Sequence, residues 1–155
     1  MEIVIILGLI FFNGILSMSE IAMVSARKSR LETAAKKGSK TAKTALRLAN
    51  EPDRFLSTIQ IGITLIGILT GLYSGEALAG DLARWLETIG IPQAHSLTLA
   101  KGIIVILVTY LTLILGELVP KHLGMNAPEK IARLIARPME VLSKIASPFV
   151  WLLSA

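Results

Sequence analysis

The chain has 155 residues, 53% of them hydrophobic and only 17% charged, with a mean hydropathy of +0.66. That balance excludes an ordinary water-soluble domain, and the absence of cysteine excludes disulfides and thiolate metal centres. The net charge of +5 would suit nucleic acid, but the bases flank apolar runs, so no nucleic-acid partner is expected.

The first apolar block covers residues 3–24, long enough to cross a hydrocarbon core of about 30 Å. A cleavable signal carries its bases before the block; here none precedes it and a dense basic run follows. That run holds nine Lys/Arg and three Asp/Glu between Arg27 and Arg54. Leu31, Ala34, Ala35, Ala42, Ala45, Leu46 and Ala49 give it an apolar stripe. The expectation is one amphipathic helix over 27–48, lying along anionic headgroups with its lysines in water.

A second span is expected over 55–73 and a third over 102–119. The loop between them carries three acids and two bases, whereas the segment after the third span carries five bases and two acids. By the positive-inside rule, 27–54 is cytoplasmic and the N-terminus is extracellular or periplasmic, in a plasma (inner) membrane. The remaining segment, 129–153, reads as a surface, re-entrant or spanning helix interrupted by Pro148. The chain stops within apolar sequence, as a piece of a longer polypeptide would.

Polar residues inside these spans are costly in lipid, so they mark function or packing. Asn13, Ser17 and Glu20 fall at i, i+4 and i+7, one face of a helix. Thr64 in the second span and Gly116 and Glu117 in the third are expected at a similar depth. Together they form an oxygen-rich set suited to a hard cation, Mg²⁺ or Ca²⁺. Pro120 has no N–H, so the Gly116 carbonyl loses its helical partner beside the Glu117 carboxylate. Simpler roles compete. Thr58 and Thr64 can bond their own backbone, and Asn13 can be interhelical glue. Glu20 and Glu117 can reach the surface and pair with Arg27 and Lys121. Gly67, Gly71 and Gly75 recur every four residues, a pattern for close helix packing in a dimer. His95 and His122 have no metal-ligand spacing, and no catalytic or nucleotide motif is present.

The order NGILSMSEIA, TIQIGITLIGILTG, ILGELVPKHLG, with a basic helix between the first two, resembles the transmembrane domain of the CNNM/CorC family. The resemblance implies a homodimeric module of three spans and a short re-entrant or surface helix. It implies Mg²⁺ transport, usually export coupled to Na⁺, with the ion held by Asn13, Ser17 and Glu20 and by Gly116 and Glu117. Family members continue into cytosolic CBS domains that bind ATP. In the second span, magnesium-transporting members carry a GNxLVN-like run. Here it reads GITLIG, with Ile63 and Gly67 at the asparagine places and Thr64 beside them. Relatives of this form are linked to polyamine efflux, the alternative substrate class. A non-transporting anchor or sensor is the other alternative.

Overall fold

In a bilayer, long apolar runs satisfy their backbone hydrogen bonds as helices. The computed structural model describes residues 1–154. Three helical runs are long and apolar enough to span a membrane: α1 (Glu2–Ser25), α4 (Pro52–Thr88) and the run Gln93–Asn126. The chain is an all-α membrane domain, with no strand among the described residues.

The helices outrun the apolar blocks that define them. α4 has 37 residues, about 55 Å at 1.5 Å each, well beyond the hydrocarbon thickness. Its far end packs against the start of α5 (Gln93–Leu113) through Ala83, Leu86 and Ala100. There the Ser96 hydroxyl donates to Glu87 Oε1 at 2.9 Å. Gly90, at φ +104°, allows the reversal between these helices. After Leu113 the third run changes pitch. A π-helical segment (Ile114–Leu118) precedes α6 (Val119–Asn126).

The helix expected over 27–48 is two helices, α2 (Lys28–Lys36) and α3 (Lys40–Asn50). Gly38, at φ +96°, breaks them apart, and Ser39 caps α3 by accepting from the Ala42 N–H at 3.2 Å. The apolar stripe of this pair is covered by protein. Leu31, Ala45, Leu48 and Ala49 pack with Ala132, Ile135, Ala136 and Met139 of α7 (Pro128–Ser154), over Met23, Phe55 and Ile59. α7 is one long helix in spite of Pro138 and Pro148.

Charges tie α7 to the basic helices. Arg47 pairs with Glu140 at 2.7 Å, and Arg133 donates to Ser39 Oγ at 3.1 Å. Glu129 accepts from the Arg27 N–H at 3.2 Å and lies 3.9 Å from Arg30. A hydrogen bond from its own backbone N–H at the start of α7 holds the Glu129 carboxyl below its ordinary pKa. The Arg27 N–H and the charges of Arg30 and Arg27 add to this, against partial burial.

Candidate functional site at the crossing of α1 and the π-helical segment

Pro120 sets the local geometry. Without its N–H, the Gly116 carbonyl has no α-helical partner, and the ladder shifts so that the Val119 N–H bonds Ile114 O. Such π-helical turns often accompany functional sites. Three glycines then let α1 approach. A Cβ on Gly116 would meet Asn13 Nδ2 at 3.1 Å and Ile10 O at 3.3 Å. One on Gly14 would meet Pro120 Cγ at 2.9 Å and Leu115 O at 3.1 Å. One on Gly124 would meet the Ile21 side chain, and Met18 O at 2.8 Å.

The Asn13 side chain closes the gap. Its Nδ2 donates to Gly116 O at 3.0 Å. A carbonyl only accepts, so this bond fixes which end of the amide carries nitrogen. Oδ1 therefore points the other way. It is buried with no hydrogen-bond partner, in a residue 5% exposed near the middle of α1. An unpaired buried acceptor costs about 1–3 kcal/mol, which a bound donor or cation would relieve.

The structure brings together only part of the expected set. Asn13, Gly116 and Pro120 meet, and Ser17 is buried one turn along α1. Glu20 is half-buried and forms no ion pair among the described residues. Glu117 is part-exposed and accepts from Lys121 Nζ at 3.0 Å, the surface pairing anticipated for it. Thr64 is exposed on α4 and makes no hydrogen bond to this crossing. Thr58 and Ser19 bond back to Arg54 O and Ile15 O. Gly67 and Gly71 are exposed and Gly75 half-buried, each with nothing within 4 Å of an added Cβ. Among the described residues no three His, Asp or Glu side chains gather as a metal cluster.

Gly14 and Gly124 are the residues that sequence reasoning missed. Gly124 lies eight positions after Gly116, about two turns on, the spacing of one packed face.

Over residues 4–155 the sequence matches the Cyclin M (CNNM) transmembrane N-terminal domain. The chain belongs to the CNNM family. UPF0053 protein sll0260 of Synechocystis sp. is 47% identical over 153 residues, covering 99% of this chain and 34% of that protein. UPF0053 protein YhdT of Bacillus subtilis is 32% identical over 153 residues, covering 99% and 33%. The Polyamine export protein of Escherichia coli K12 is 32% identical over 150 residues, covering 97% and 33%. The chain spans about a third of the length of the curated relatives it matches. It is therefore similar to the membrane part of these CNNM relatives.

Proposed function

We propose that this CNNM domain moves a cation, Mg²⁺, outward across the plasma membrane, with Na⁺ as the coupling ion. The observation that supports this is the unpaired Asn13 Oδ1, buried near the middle of α1 on an amide whose nitrogen holds the Gly116 carbonyl. An anchor has no need of such an atom. Mg²⁺ keeps several of its waters and needs only one or two carboxylates. A sparse set of Asn13 Oδ1, the Ser17 hydroxyl and the Glu117 carboxylate suits a part-hydrated ion. Glu20 is the next charge toward the basic end. To engage the ion, Glu117 exchanges Lys121 for it, and the π-helical turn before Pro120 takes up the movement.

Orientation follows the charges: the basic end with α2, α3 and the start of α7 is cytoplasmic. CBS domains of a longer chain would lie on that side. A second copy packs along α4. Ser57, Gln60, Thr64, Gly67 and Gly71 are all exposed and recur at intervals of three and four residues, a small and polar stripe unsuited to lipid. Thr64 thus belongs to the dimer surface rather than to the ion site of its own chain.

One observation favours a polyamine instead. The Lys121 ammonium on Glu117 is the contact a diamine would make, and the E. coli relative is named a polyamine exporter. Reconstituted vesicles separate the readings. Mg²⁺ efflux that is lost in Glu117→Gln supports the proposal. Putrescine efflux without Mg²⁺ efflux transfers it to the amine, and flux of neither refutes transport by this domain.

A further inference from the structure

The α2–α3 turn and α7 enclose a basic hollow that the ion site does not use. Arg30, Lys37 and Ser39 line one depression with Arg133, and Arg133 also lines the adjoining one with Lys130 and Leu134. Four cations, from α2, the turn after it and α7, thus border two depressions that share one guanidinium. Among the described residues the one acid paired with any of them is Glu129, 3.9 Å from Arg30 and already bonded to the Arg27 N–H. Among the described residues, the Lys37 and Lys130 side chains take part in no hydrogen bond or ion pair.

The faces of α7 show where this hollow sits. Ala132, Ile135, Ala136 and Met139 are buried against the bundle. Leu134, Val141, Ile145 and Leu152 recur at seven, four and seven residues along a second face and are 57–74% exposed. Lys130, Arg133, Arg137 and Lys144 form a third stripe between the two. An exposed apolar stripe flanked by a basic one is the pattern of a helix lying in the membrane interface. Arg30 also lies five residues after Ser25, where α1 ends. The hollow is therefore at phosphate level, with Leu134 on its hydrocarbon side.

We propose that this hollow is a headgroup site for an anionic phospholipid carrying two phosphates. One phosphate lies between Arg30, Lys37 and Arg133, and the other between Arg133 and Lys130. The acyl chains run over Leu134 and Val141. Basic pockets beside membrane helices recognise such headgroups, at about fivefold in affinity per lysine or arginine. The proposal is independent of the ion reading, because none of these residues touches Asn13, Gly116 or Glu117.

Native mass spectrometry of the detergent-purified chain tests it, with tetraoleoyl cardiolipin, dioleoyl phosphatidylglycerol and dioleoyl phosphatidylcholine as probes. The expected order is cardiolipin first and phosphatidylcholine last, at least about tenfold apart. Lys37→Gln with Lys130→Gln should weaken cardiolipin about 25-fold, from about fivefold per lysine, and leave phosphatidylcholine unchanged. These two side chains hold no intramolecular bond, so the double variant keeps its fold. Lys101→Gln, far from the hollow in sequence and on another helix, should change nothing. Equal retention of the three lipids, or full cardiolipin binding by the double variant, overturns the proposal. So does a thermal shift with inorganic phosphate that matches the lipid's, which would make the source a soluble anion.

Discussion

Asn13 Nδ2 reaches Gly116 O at 3.0 Å across 103 residues of sequence, and the same amide leaves its oxygen buried and unpaired. One hydrogen bond thus couples the middle of α1 to the π-helical turn before Pro120. In hydrocarbon such interhelical bonds contribute about 0.6–2 kcal/mol. Asn13→Leu removes that bond together with the unpaired oxygen, and the two effects oppose each other. The ion-free melting point should move by only a few degrees, measured by tryptophan fluorescence in detergent. A loss of folding would mean that Asn13 is structural glue first.

Gly124 and Gly80 make a matched pair. A Cβ on Gly124 would collide with Ile21 and lie 2.8 Å from Met18 O, while one on Gly80 would meet nothing. Overpacking typically costs 1–3 kcal/mol, whereas Gly→Ala in an open helix position contributes roughly 1 kcal/mol. Gly124→Ala should therefore lower the melting point and Gly80→Ala hold or raise it. Equal effects would contradict the close crossing of α1 and α6.

If Glu117 serves the proposed ion, Lys121, 3.0 Å from it, competes for the same carboxylate. The pair is part-exposed, so its net worth to stability is at most about 1 kcal/mol. Lys121→Met should hardly alter the melting point, yet strengthen cation binding several-fold in equilibrium titration. Unchanged affinity would remove Lys121 from the mechanism.

Glu129 gives a pH signature at the other end of the bundle. Its folded pKa is lowered. Its contribution is thus fully present above the ordinary carboxylate range and lost as pH falls through the depressed value. Wild type should melt above Glu129→Gln near pH 6. The difference should shrink through the acid range below the ordinary carboxylate pKa. A difference that grew on acidification would reverse the sign of the argument.

With no native cysteine, single-cysteine variants report the α4 stripe cleanly. Oxidation should cross-link Gly67→Cys and Gly71→Cys into dimers in membranes, and leave Ile106→Cys on α5 monomeric. The reverse pattern would move the interface off α4.

Spans and family were legible because both rest on long local signals: apolar run length, charge alternation and three motifs in order. Helix ends were less so. α4 continues past Tyr73 because a helix, once begun, needs a turn residue to stop it, and that residue is Gly90. The split at Gly38 was legible in principle, since a lone glycine in a helical pattern near Ser39 signals a cap. The site was half legible. Helical spacing placed Asn13 and Ser17 together, and proline chemistry exposed Gly116. The facing of Thr64 depends on how α4 rolls to seat its Gly62 against Leu16 of α1, a tertiary fact that depth alone does not carry. Lys121 on Glu117 was visible as an i, i+4 pair.

The central claim is that Asn13 Oδ1 belongs to a cation site. Thermal unfolding of the purified chain titrated with Mg²⁺, wild type beside Asn13→Leu, tests it most directly. Binding at 100 times Kd stabilises by about 2.7 kcal/mol. A saturable rise in wild type that is absent in Asn13→Leu is the predicted result. No rise in wild type, or an equal rise in both, would contradict the account.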